Sequence, residues 1–150
     1  AATRYEQALA IMRELGDRES TAVVLLNLAL VAIGQRDGMR ARPILEDVLA
    51  ISSEMQSRPT GQCALDACAA LAALRGEWIA AARFFGAVEA RTAEGGYHRD
   101  PADDAFLAPL IARARDTLGA HTFEGVEAQG RTLSYDAAID EARAWLARLD

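Results

Sequence analysis

RGEWIAAARFFGAVEA, residues 75–90, decides how the chain is read. A glycine at 76 is followed by Glu77 and Trp78, then by Ala80, Ala81 and Ala82 in a row, then by Phe84 and Phe85. Glycine takes the left-handed conformation that closes a helix, so Gly76 marks the end of one helix. The alanines then open a second helix. Their small side chains let it lie close to the first, because interhelical distance follows the size of the residues at the contact. Phe84 and Phe85, one turn later, are expected to fill the space between helix pairs, with Trp78 covering the turn.

The same pattern recurs. AATRYEQALAIMRE from Ala1, ARPILEDVLAISSE from Ala41 and AARFFGAVEARTAE from Ala81 align at a spacing of 40. Ala1, Ala41 and Ala81 coincide, as do Tyr5, Leu45 and Phe85, then Ala8, Val48 and Val88, then Glu14, Glu54 and Glu94. The first three columns are offset by four and three residues, which places them on one helical face. An apolar helix precedes each of the two later copies, and each ends in a short polar step, residues 35–38 or 75–78. The unit reads as helix, tight turn, helix, then a looser connection. Residues 16–20 and 57–61 supply those connections and carry breakers and N-cap candidates. Arg36 stands where Gly76 stands one unit later, and Pro43 falls in the first turns of its helix, where early amides lack a partner.

These columns, with Ala29 and Ala69 in the first helices of each pair, resemble a tetratricopeptide repeat over residues 1–95. The first unit is incomplete. The resemblance implies an all-α fold: a tetratricopeptide-like α-solenoid of antiparallel helix pairs with a period of about 40. Past residue 95 the period fails. The remainder, residues 96–150, reads as a C-terminal helical cap, which a solenoid needs to cover the apolar face of its last repeat. Asp100 suits an N-cap and Pro101 a first helical position, with Asp103 and Asp104 beside the positive end of the dipole and Pro109 as a kink. A shorter helix follows, and Ser134 caps the last one. Residues 80–142, with Phe123, Gly125, Gly130, Ser134 and Ala137-Ala138, resemble the C-terminal end of large bacterial LuxR-type and adenylate-cyclase-like ATPase regulators of transcription. That likeness implies the repeat segment of a signal-responsive regulator in the bacterial cytoplasm. The chain begins with alanine inside a helical pattern and is expected to be a segment of something longer.

Composition agrees with helices. The residues are 51% hydrophobic but only 6% aromatic, with alanine supplying the difference. All 16 basic residues are arginine, and the net charge of -6 argues against a general affinity for nucleic acid, which needs a basic surface. The most apolar run, residues 22–34, is too short to cross a bilayer and contains Asn27, so no membrane span is expected.

Little in the sequence points to catalysis. No phosphate loop, dinucleotide fingerprint or zinc spacing is present, and neither a cofactor nor a metal is expected. Cys63 and Cys68 lie about 140° apart on a helix and should remain separate, buried thiols. Arg113, Arg115 and Arg131 are candidate anion ligands, with ion pairing to Glu124 or Glu127 as the plainer reading.

Two binding surfaces are open at this point. By the resemblance, first helices line a concave groove. Val23, Leu26, Asn27, Leu30 and Ile33 come from one, and Cys63, Asp66, Ala67, Ala70 and Leu74 from the next. Asn27 matches an asparagine with which some repeats grip a peptide carboxylate, but no lysine completes that clamp; a helix-to-helix hydrogen bond is its other reading. So apolar a groove should take an apolar peptide or helix, or be filled by the chain's own cap. The second surface is a small-molecule or catalytic pocket around Tyr97, His98, Arg99, His121 and Arg131. A non-enzymatic protein- or peptide-binding module is the leading expectation. The apolar residues of the first helix, Tyr5, Ala8, Leu9, Ile11, Met12 and Leu15, should be exposed and draw in a second copy of the chain.

Overall fold

The computed structural model describes residues 2–94 and 101–149, with the side chains of Ala2, Thr3 and Tyr5 outside the description. All regular structure among these residues is α-helical, as the alanine content requires. The helices are α1 (Ala2–Leu15), α2 (Arg18–Gly34), α3 (Gly38–Met55), α4 (Arg58–Leu74), α5 (Trp78–Ala93), α6 (Pro101–Leu118), α7 (Ala120–Arg131) and α8 (Tyr135–Arg148).

The first five helices are joined by four turns built alike. Gly16, Arg36, Gln56 and Gly76 all have positive φ, at 70°, 61°, 53° and 76°. They stand twenty residues apart. After each, the next amide reaches back five residues: Asp17 donates to Met12, Asp37 to Ala32, Ser57 to Ser52 and Glu77 to Ala72, at 2.8–3.3 Å. The left-handed residue itself donates to the carbonyl three before it, so two carbonyls at each helix end are satisfied. The residue after it also starts the next helix. The carbonyls of Asp17, Asp37, Ser57 and Glu77 accept from Thr21, Ala41, Gly61 and Ala81 at 3.0–3.2 Å. Asp17 and Asp37 add side-chain caps, accepting from the amides of Ser20 at 3.0 Å and Arg40 at 3.1 Å.

This corrects the expectation of alternating tight and loose connections. The links after Gly16 and Gln56 are as short as those after Arg36 and Gly76, and α2 and α4 begin at Arg18 and Arg58. One residue serves both as the end of a helix and as the cap of the next, so the polar residues behind it form a helical turn rather than a loop. Pro43 is the sixth residue of α3, beyond the free amides of the first turn, so its ring removes one hydrogen bond, to Met39. The helix α6 continues through Pro109.

The repeating columns are core. Ala29, Ala69, Ala41, Ala81, Leu45, Val48 and Val88 are all fully buried, and Phe85 is half-buried. Ala8 is half-buried, while the side chain of Tyr5 lies outside the described residues. The helix α4 sits at the centre, packed against α2, α3, α5, α6 and α8. From Thr60 to Ala73 every residue but Cys63 is buried, as expected of a helix that is apolar nearly all round.

Phe84 and Phe85 hold the tail rather than fill gaps between pairs. Phe84 meets Trp145 of α8 edge to face at 5.4 Å, and Phe85 meets Phe123 of α7 at 6.4 Å. The Trp145 indole donates to Glu77 at 3.2 Å, and Arg83 grips both oxygens of Glu141 at 2.7 Å. That pair holds the Glu141 carboxyl below its usual range. Arg42 donates to the carbonyl of Leu149. The helices α5 and α7 approach backbone to backbone: a Cβ on Gly86 would lie 2.1 Å from the Glu127 carbonyl oxygen, and one on Gly130 2.0 Å from that of Arg83. Leu107, Ile111, Phe123, Ile139 and Leu146 thereby join the same core as α2–α5.

Candidate functional site

Among the expected groove residues, Val23 is 48% exposed and Leu26, Asn27 and Leu30 are half-buried. Asp66 and Ala70 on α4 are buried. The helix α6 lies over this face. Leu26, Leu30, Cys63 and Asp66 surround a void of about 20 Å³ with Asp103, Phe106 and Leu107, room for at most one water. The chain's own α6 therefore covers this part of the face.

What stays open is the end of the groove beside the turns. A cleft of about 440 Å³ lies between the C-terminal ends of α2 and α4, the start of α5 and the middle of α6. Its apolar lining is Ile33, Ala73, Leu74 and Leu110, its aromatic groups are Trp78 and Phe106, and three guanidinium groups border it, Arg36, Arg75 and Arg113. The twenty-residue step places them together. Residues 36 and 76 hold equivalent positions in turns separated by two steps, and α2 packs on α4, so both turns reach the same cleft.

The polar chemistry of this cleft is one-sided. Its lining has no carboxylate, histidine, thiol or hydroxyl. Every polar side chain there, three arginines and the Trp78 indole, donates hydrogen bonds and accepts none. Arg75 is paired with Glu77 at 2.9 Å. The Arg113 guanidinium stands 5.7 Å from the centre of the Trp78 ring, a cation–π contact. Neither Arg36 nor Arg113 has a carboxylate partner among the described residues. Local positive charge is thus concentrated on a chain of net charge -6.

The other expected pocket is only partly described. Tyr97, His98 and Arg99 lie outside the described residues, as does Asp100. Arg131 is ion-paired with Glu127 one turn back at 3.6 Å, and His121 is exposed on α7. Arg115 pairs with Glu124 at 3.3 Å and covers Phe123 at 4.5 Å, so the three arginines considered as an anion site go to separate partners. Ser134 caps α8, accepting from the Ala137 amide at 3.1 Å. Neither cysteine is in a disulfide among the described residues, and burial pushes the Cys68 thiol up. Among the described residues no group of three His, Cys, Asp or Glu side chains is placed to hold a metal, and no helix is long and apolar enough to cross a membrane. On α1, Ile11 is 54% and Leu15 72% exposed, while Leu9 packs against the core.

Of the expected groove residues, Ile33 and Leu74 line this cleft, and its arginine rim is not marked as a site by the sequence. In the sequence Arg36 reads only as a departure from glycine, Trp78 only as a turn cover, and Arg113 only as a candidate anion ligand with Arg115 and Arg131. The available signal was the column joining residues 36 and 76. Compared with known proteins, the chain matches no family model, no curated protein and no solved structure.

Proposed function

We propose that the chain is a non-catalytic protein-interaction module, a tetratricopeptide-like array of helix pairs that forms the C-terminal repeat segment of a bacterial, cytoplasmic, signal-responsive regulator of transcription. The repetition of one turn geometry at residues 16, 36, 56 and 76 carries this reading. A chain that repeats one step in this way stacks its helices into an array with a long continuous surface, the form suited to holding another chain. Contacts of α2 with α4, and of α4 with α6, support the stacking. A cleft whose lining lacks acid, base and nucleophile supports recognition over catalysis. The alternative, a small-molecule pocket around Tyr97, His98 and Arg131, has in its described part an arginine already held by Glu127. The regulator assignment rests on the sequence resemblance alone.

The test is site-specific photocrosslinking in the native cell, with a photoreactive residue at Met39, beside the turn edge, or at Arg143, exposed on α8. One protein should be captured from Met39 and not from Arg143, and that protein, purified, should bind the purified chain saturably. Absence of any captured protein that rebinds, together with turnover of a small molecule by the purified chain, would overturn the proposal.

A further inference from the structure

We infer that the cleft bordered by Arg36 and Arg113 is a docking site for an acidic peptide segment that carries an apolar side chain; this deepens the interaction-module reading and rests on it. The ligand's chemistry follows from what the cleft lacks. All its polar side chains are donors, so a partner must bring the acceptors. Two guanidinium groups without carboxylate partners among the described residues favour acceptors that carry negative charge, because charge-assisted bonds from arginine to carboxylate are the strong ones. The lining between them is apolar, with Ile33, Leu74, Leu110 and the faces of Trp78 and Phe106. A free inorganic anion leaves that surface wet, and a purely apolar segment leaves the guanidinium groups unmatched. A segment with carboxylates flanking a leucine or phenylalanine satisfies both.

Polyanions fit less well. A net charge of -6 disfavours a long nucleic acid backbone, whereas a short acidic segment need meet only the arginine rim. The volume, about 440 Å³, suits one or two side chains rather than a whole helix. The site shares Ile33 and Leu74 with the helix-lined groove expected from sequence. It sits on the turn edge, and the left-handed Arg36 projects its guanidinium from a position that glycine occupies in the equivalent turn at Gly76.

The experiment uses the intact chain and two acetylated, amidated dodecapeptides of Leu, Ala and Glu or of Leu, Ala and Gln. Affinity is measured by titration calorimetry at two salt concentrations. Location is read from tryptophan emission in a Trp145→Phe background, which leaves Trp78 as the only tryptophan. The Glu peptide should bind saturably, shift Trp78 emission and weaken several-fold on raising the salt from 50 to 300 mM. The Gln peptide should bind at least tenfold more weakly. Arg36→Gly and Arg113→Gln should each weaken the Glu peptide about tenfold, and Arg36→Gly keeps the turn geometry, so its effect is not unfolding. Equal binding of both peptides, unchanged affinity in both variants, displacement by millimolar inorganic phosphate alone, or no binding at millimolar peptide overturns the inference. If the peptides fail while the protein captured through Met39 still binds, the cleft is refuted and the interaction module stands. If the Glu peptide binds as expected while no protein is captured and the purified chain turns over a small molecule, the interaction reading fails alone.

Discussion

Replacing Gly130 by alanine tests the packing of the tail on the repeats. The new Cβ would lie 2.0 Å from the Arg83 carbonyl oxygen, 2.9 Å from its carbon and 3.2 Å from the Ala87 nitrogen. All three are backbone atoms inside a helix and have no rotamer to give. The helix α7 must retreat by more than an ångström. A radial gap of roughly 0.5–1 Å forfeits a quarter to a half of each contact across it. Phe123, fully buried on that side, represents about 1.5–3 kcal/mol of burial, and Val126 packs beside it. The loss is therefore about 1–3 kcal/mol, offset by about 1 kcal/mol of helix propensity gained on replacing glycine. A net destabilisation of up to about 2 kcal/mol should appear in urea unfolding followed by circular dichroism, with Tm lower by up to about 8 °C. Gly86→Ala should behave alike, since its Cβ meets the Glu127 backbone at 2.1 Å. The double variant should lose much less than the two singles together, because one retreat makes room for both methyl groups. Gly125, on the same helix with nothing within 4 Å of its Cβ, is the control: Gly125→Ala should stabilise by about 0.5–1 kcal/mol. A Gly130→Ala chain as stable as the Gly125→Ala control, or fully additive losses at 86 and 130, would refute the close approach.

Three further outcomes follow from the geometry. Arg36→Gly should raise stability by about 0.5–1 kcal/mol in the same urea assay, because φ of 61° strains any residue with a Cβ; a loss would mean that the turn is not left-handed. The Arg83 guanidinium holds the folded Glu141 carboxyl below its usual 4.5, so its stabilisation is present above that pH and is lost as pH falls through the lowered value. At neutral pH, Glu141→Gln should be less stable by under about 1 kcal/mol, since the pair is partly exposed, and the difference should vanish in acid; a gap that persists at pH 2 contradicts the pairing. Cys68, fully buried with its thiol pushed up, should resist a thiol reagent until urea unfolds the chain, and labelling at the rate of a free thiol in the native state would contradict its placement.

The repeat was legible because its signal is local. Small and bulky residues recur at fixed offsets, and Ala41, Ala81, Leu45, Val48 and Val88 are buried as that pattern requires. The finer step of twenty residues was hidden for a physical reason. Its marker is a left-handed backbone, which Gly16 and Gly76 announce and Arg36 and Gln56 do not. Side-chain type only biases φ, and hydrogen bonds from the following amide hold arginine and glutamine there. The tail's position was less legible still. Gly125 and Gly130 read alike in sequence, yet only Gly130 touches another backbone. The cleft depends on that placement, since Phe106, Pro109, Leu110 and Arg113 come from α6 and the rest from the ends of α2 and α4, their turns and the start of α5. No local pattern records which tail helix covers which end of the groove.

Backbone chemical shifts and couplings at Arg36 and Gln56, measured by solution NMR, test the recurring turn most directly. Positive φ at both, flanked by helical residues on either side as at Gly16 and Gly76, is the result that the twenty-residue step predicts. Helical or extended values at 36 and 56 would remove the equivalence of the four turns, and with it the array and the shared edge on which the cleft is built.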